Sequence, residues 1–343
     1  MQNDKNIIFG NHVLVESVIA DYWKNRLDPE VSDEELAPFR QWYSCIVNYS
    51  ELVLDIEKSD FIELAQNNPL YKQLLKESAS GGSKLVFWKN FMSEMDSGNR
   101  YLDFPDALYL LSIENEKCIE KSEYYGLYFL NLNRCLPFSQ LLFMHTDFIV
   151  KKTISKSDLK TWDDLSKVIH PVNSLIITDN YVLKSVEDIA SNLIPILNAL
   201  LPKKLSMTSF QLLIVTQSME EQLLQSRYSY VEDLIQSRLN RPYVIEFSLA
   251  TACIGENHDR YLFTNYFMIR SGNSFNYFNR NGKAKFDTYL NVFPTYHVAA
   301  GPELMKNKIR NVLSGIKSLV IDHSIQKSGP CNFANNRLFA LTS

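Results

Sequence analysis

Residues 243–278 read YVIEFSLATACIGENHDRYLFTNYFMIRSGNSFNYF. An apolar run opens the stretch and predicts a buried strand. A short loop follows, then His258, Asp259 and Arg260, then a second apolar run, RYLFTNYFMIR, taken as one further strand. Ser271-Gly272-Asn273 closes it as a turn. Upstream, SLIITDNYVL from residue 174 and FQLLIVT from residue 210 are further apolar runs. LLIV within the second is continuous, as in a strand covered on both faces. Between them Val186, Ile189, Ala190, Leu193, Ile194, Leu197, Leu200 and Leu201 recur at helical spacing. YSYVEDLIQSRL continues the alternation as a helix before residue 243. This order predicts an α/β sheet sandwiched between helices. GPELMKNKIRNVLSGIKSLVI (301–321) adds an amphipathic helix with Lys306, Lys308, Arg310 and Lys317 on its exposed face.

NSLIITDNYVLKS (173–185), FQLLIVTQ (210–217), YVIEFS (243–248) and HDRYLFTNYFMIRSGNSFNYF (258–278) occur in this order. The succession resembles the C-terminal phospholipase-D-like domain of MIT-domain-containing proteins and its prokaryotic relatives, over roughly 173–320. The matching residues are Asp179, Asn180 and Tyr181; Thr216 and Gln217; Glu246 and Phe247; His258 to Arg260; and Gly272, Phe275, Tyr277 and Phe278. The first glycine of the family's closing motif is replaced here. His258, Arg260 and Asn265 also sit at the offsets of the phospholipase D signature: a His, one residue, a Lys, four residues, an Asp. In that chemistry the His attacks phosphorus, the Lys holds phosphate oxygens and the Asp orients the His.

Here Arg replaces Lys, and its planar fork still pairs with two oxygens. Asn replaces Asp, and cannot stabilise an imidazolium as a carboxylate does. The resemblance therefore implies a degenerate active site that recognises phosphate without turnover. Arg260 would clamp the anion, and Ser271, Asn273 and Ser274 would add donors from a turn. The alternative is a phosphodiesterase or nuclease, with His258 as nucleophile in a homodimer, because the chemistry needs two histidines and one copy of the motif is found. A third reading, anionic-membrane binding, comes from the eukaryotic relatives. The plainest reading is that His258 and Asp259 simply end a strand. Nucleic acid is the expected phosphate carrier, and a protein partner is expected by analogy with prokaryotic antiviral defence systems.

The chain has 343 residues, 45% hydrophobic and 22% charged, with 20 Phe and 18 Tyr, enough for one large core or two ordinary ones. A net charge of −4 argues against broad nonspecific nucleic-acid binding, so any such contact must be local. Cys45, Cys118, Cys135, Cys253 and Cys331 are scattered without metal-ligand spacing, predicting free thiols and no metal. The chain shows no leader-like N-terminus and no apolar run of membrane-spanning length, so a cytoplasmic protein is expected. P-loop, G-x-G-x-x-G, G-x-S-x-G and H-E-x-x-H motifs are absent, and no cofactor is expected.

Residues 1–160 form a separate α/β or α+β domain in this reading, and 173–343 the phospholipase-D-like one, with a boundary in 150–172. Helices are expected over 13–27, in two pieces over 61–82 broken at Pro69, and over 104–118 opened by Pro105-Asp106. Strands are expected near 48–61, at 84–88 and at 124–132, while 138–152 is ambiguous. Asp55, Glu57, Asp103, Asp106, Glu114 and Asp147 are spread as a PIN-like metal-dependent nuclease would spread its carboxylates, although acidic residues are also ordinary at helix starts. Lys203, Lys204, Arg227, Arg238, Arg241, Arg270, Arg280, Lys283 and Lys285 interleave with Tyr228, Tyr230, Tyr277 and Phe278. They make either a single-strand binding surface or a solvated rim over core aromatics.

Overall fold

Short, largely apolar runs form the strands of two sheets. The computed structural model describes residues 12–15, 33–46, 50–80, 84–168, 170–252, 260–297, 302–321, 327–329 and 336–342. The first sheet holds β1 (His12–Val15), β2 (Glu51–Leu54), β3 (Lys84–Phe87), β4 (Leu108–Leu111) and β5 (Tyr128–Asn131). Its order is β3-β2-β1-β4-β5 and every pairing is parallel. Parallel neighbours require crossovers, and α1 (Asp33–Ser44), α2 (Lys58–Asn67), α3 (Pro69–Ala79), α4 (Phe91–Gly98) and α5 (Asn115–Tyr125) lie in them. The order is that of one class of doubly wound sheets.

Two sequence expectations fail here. The helix over 13–27 is replaced at its start by β1, which pairs with β2 and β4; residues 16–32 lie outside the described residues. The helix over 104–118 is replaced by β4, whose four residues are all buried between β1 and β5; helix begins only at Asn115. Pairing on both sides outweighs the local signal of Pro105-Asp106. The break at Pro69 forms as expected, with the Asn68 side chain accepting from the Leu70 and Tyr71 N–H groups.

The second sheet is mixed. It contains β6 (Thr146–Val150), β7 (Ser174–Thr178), β8 (Phe210–Gln217), β9 (Ile245–Ala252), β10 (Arg260–Thr264), β11 (Phe267–Ser271), β12 (Thr288–Pro294) and β13 (Lys327–Ser328), in the order β13-β9-β8-β7-β10-β11-β12-β6. β7, β8 and β9 are parallel, and β10, β11, β12 and β6 continue antiparallel. The stretches that carry the resemblance thus become adjacent strands. RYLFTNYFMIR is not one strand but a hairpin. It turns at Asn265-Tyr266, where Thr264 Oγ1 accepts from the Tyr266 and Phe267 N–H groups.

Helices cover both faces of this sheet. Helix α6 (186–200) passes through a π-helical turn, Ile189–Leu193, and α7 (Glu221–Leu234) ends in another, Ile235–Leu239. Both pack on one face. The first π turn aims Asn192 at the Phe278 backbone, donating to its carbonyl at 2.9 Å and accepting from its N–H at 2.8 Å. Helix α8 (Pro302–Ile321) covers the other face through Met305, Ile309, Leu313, Ile316 and Val320.

The two sheets meet along a polar seam. Three successive carbonyls ahead of β4 each accept from the second sheet's side: Pro105 from Asn265 Nδ2 at 2.7 Å, Asp106 from the Tyr296 hydroxyl at 2.8 Å, and Ala107 from the Tyr266 hydroxyl at 2.7 Å. The Tyr266 hydroxyl also accepts from the Tyr128 N–H at 2.8 Å. Beside it, His170 is buried, with Nδ1 2.9 Å from the Tyr128 hydroxyl. Gly126 caps α5 at φ +63, and a Cβ there would lie 2.4 Å from the Val172 carbonyl oxygen.

Tyr266→Phe leaves both the Ala107 carbonyl and the Tyr128 N–H without a partner and is expected to cost about 2–4 kcal/mol, read from urea unfolding. Burial depresses the His170 imidazole from 6.5 to about 3. Between those values the unfolded chain takes up a proton that the native state refuses. The contribution of His170 is therefore complete above pH 6.5 and is lost on acidification, by up to about 1.4 kcal/mol per pH unit. Urea midpoints from pH 7 to pH 4 should show this slope, and His170→Gln should flatten it; parallel profiles would refute the assignment.

Candidate functional site

Parallel strands end in carbonyls and loops at one edge, and ligands of open α/β sheets gather there. β7 ends at Thr178 and β8 at Gln217, while antiparallel β10 starts at the same edge, with Tyr261 opposite Thr178. Helix α8 crosses this edge. The cleft between them measures about 530 Å³, with Thr178, Asp179, Asn180, Val215, Arg260 and Tyr261 facing Asn311, Val312, Gly315, Ile316 and Leu319. Its walls are largely apolar and its polar groups few, the usual make-up of a small-molecule site.

Asp179 organises the polar end. Only 1% of it is exposed. Its carboxylate accepts from the Tyr181 N–H at 2.8 Å, the Ser274 hydroxyl at 2.7 Å and the Phe275 N–H at 2.7 Å. Burial raises its pKa; these bonds and the Arg260 charge pull the other way without cancelling it. The Arg260 guanidinium carbon lies 6.0 Å from the centre of the Tyr181 ring. Tyr181 is 40% exposed and flanks the cleft beside its lining residues Asn180 and Arg260. The buried oxygens Asn180 Oδ1 and Thr216 Oγ1, from the ends of β7 and β8, find no donor among the described residues.

Of the described residues given a phosphate-binding or catalytic role from sequence, Arg260 alone lines this cleft. His258 and Asp259 lie outside the described residues. Asn265 follows the other end of β10, roughly 16 Å away at ~3.3 Å per residue. It is fully buried, accepts from the Asn173 and Ser174 N–H groups and donates to Pro105 O. Its role is the seam, not orientation of an imidazole near Arg260. The Ser271-Gly272-Asn273-Ser274 turn is likewise spent on itself. Ser271 is 1% exposed, donates to Asn273 O and touches the Tyr277 hydroxyl at 2.5 Å. Ser274 donates to Asp179, and Asn273 Nδ2 to Thr288 Oγ1 at 3.1 Å. The Gly272, Asn273 and Phe275 N–H groups bond to Tyr289 O, Ser271 Oγ and Asp179 Oδ2. A turn whose donors are already taken by buried acceptors has few left for an anion. Asp179, Asn180 and Tyr181 are the contributors that the sequence names without a role; the signal is their place directly after a buried parallel strand.

The other two candidate sets disperse. Asp55 and Glu57 follow β2 and Glu114 follows β4, whereas Asp103 and Asp106 precede β4, and Asp147 lies on β6, in contact with Asn291. Among the described residues no cluster of acidic, His or Cys side chains suits a metal ion. Tyr277 and Phe278 are buried and Tyr228 stacks on Phe247, while Arg227 and Arg241 bond to backbone carbonyls and Lys285 pairs with Asp188. Cys45, Cys118 and Cys135 are buried free thiols; burial pushes Cys45 up to about 12. No described helix is long and apolar enough to cross a membrane.

Asn265→Asp restores the signature residue, but it removes the donor that Pro105 O and Asn173 Oδ1 share and buries a charge. It should destabilise the protein by about 3 kcal/mol and confer no phosphodiesterase activity, checked by thermal melting and chromogenic diester hydrolysis. No protein-family model matches this chain, and no curated protein does either.

Proposed function

We propose that the second sheet is a phospholipase-D-like domain whose edge cleft recognises a phosphate-bearing nucleotide unit, at the end of a nucleic acid, without turning it over. The observation that carries this reading is the Arg260 guanidinium, in the cleft wall beside the exposed Tyr181 ring. A guanidinium pairs with two phosphate oxygens, and an exposed tyrosine offers a face on which a base stacks. Apolar walls from Val215, Ile316 and Leu319 suit a base or sugar better than an extended run of charged backbone. The adjacency of β7, β8, β9 and the β10–β11 hairpin supports the phospholipase-D-like reading. Binding is favoured over hydrolysis because Asn265, the counterpart of the orienting acid, is locked into the seam.

Fluorescence anisotropy with a 5′-phosphorylated oligothymidylate, against its unphosphorylated twin, tests this. The phosphorylated strand should bind more tightly. Arg260→Ala should weaken it about 10- to 100-fold, Arg260→Lys less, and Tyr181→Ala several-fold for both strands. Equal binding of the two strands, or an unaffected Arg260→Ala, would overturn the proposal. Metal-free diester cleavage abolished by His258→Ala would favour the nuclease alternative instead.

A further inference from the structure

A second cavity, of about 310 Å³, opens at the seam, away from the residues of the edge cleft. Its walls come from both sides: Ile119, Phe129, Phe138 and Leu141 from the first, Pro171 and Pro202 from the second. An engineered cavity of about 150 Å³ already accepts benzene, so this one has room for a bicyclic ring. Asn115, Ser122 and Glu123 also line it, and one buried imidazole is built into its wall. His170 is 2% exposed, and its Nδ1 is held by the Tyr128 hydroxyl. Tyr266 and Phe267 fix the ring, at centroid distances of 6.3 Å and 5.2 Å. Its Nε2 has no partner among the described residues. Two lysines stand at the rim. Lys204 is neutralised by Glu123 at 3.0 Å, whereas Lys203 is exposed and makes no ion pair with any described residue. The cavity therefore offers flat apolar walls, one anchored imidazole nitrogen and one uncommitted cation.

We propose that this seam cavity binds a small bicyclic aromatic carboxylate, its ring between the apolar walls and next to His170, its carboxylate on Lys203. The site is independent of the edge cleft and of the function proposed for it. Because its walls come from both sides of the seam, the occupied cavity ties the two sheets together. Burial keeps His170 neutral at working pH, so His170 contributes a hydrogen bond rather than charge, and the preference for an anion falls on Lys203.

Isothermal titration of the full chain with indole-3-carboxylate, indole and tryptamine tests this. Indole-3-carboxylate should bind saturably at one site and raise the melting temperature, indole should bind about tenfold more weakly, and tryptamine should not bind. Lys203→Ala should bring the carboxylate down to the level of indole. Leu141→Trp, which fills the cavity, should abolish binding. Ile119→Trp at the exposed rim serves as a second filler if Leu141→Trp does not fold. The proposal is overturned by absence of saturable indole-3-carboxylate binding at millimolar concentration, by binding that survives in a folded filled variant, or by a carboxylate preference unchanged in Lys203→Ala.

Discussion

Three consecutive backbone carbonyls, those of Pro105, Asp106 and Ala107, accept from side chains on the second sheet's side. Each would cost about 1–3 kcal/mol if buried without a partner. The donors are side chains with little freedom: Asn265, Tyr266 and Tyr296 are each no more than 1% exposed. Asn265 is held in turn by the Asn173 and Ser174 N–H groups at the start of β7. Directional bonds to fixed carbonyls set one relative placement, which an apolar contact alone would leave free to slide.

That constraint reaches the cleft through β10. Its five residues run from the seam at Thr264 to the cleft at Arg260, flanked by β7 and β11. The strand cannot move its charged end without disturbing its buried end. Asp179 completes the arrangement from β7, gripping the Ser274-Phe275 turn while lying close enough to feel the Arg260 charge. The guanidinium is therefore held by a rigid frame, which under the proposed function lowers the ordering cost of binding.

Much of this frame was legible in the sequence, for identifiable reasons. SLIIT and LLIV are continuous apolar runs, and a strand covered on both faces reads that way. The α8 stripe repeats every three or four residues, and Pro69 with Asn68 marks a helix boundary that formed. Failures occurred where long-range pairing overruled local preference. LYLL follows a helix-opening Pro-Asp pair, yet its neighbours on both sides are strands. The Asn265-Tyr266 turn hides inside an apolar run, because it lacks the glycine of common tight hairpins and is stabilised by Thr264 instead. An extended strand already carries Asn265 five residues away from Arg260, and the turn commits its amide to the seam. The Ser271–Ser274 donors were misjudged for a related reason: composition shows that a turn is polar, not that its polar groups are already bonded.

The position of β6 has a consequence for synthesis. The five strands of the first sheet are complete by Asn131, but β6 belongs to the other sheet, and its Asp147 contacts Asn291, 144 positions further on. On a ribosome the first sheet can close while β6 waits, its edge unpaired, until most of the remaining chain has emerged. A β strand kept waiting is open to wrong partners. Exposed Asp147 and the nearby Lys151 and Lys152 place charge on and next to this strand, a pattern that discourages neighbouring nascent chains from pairing with it before its own partner arrives.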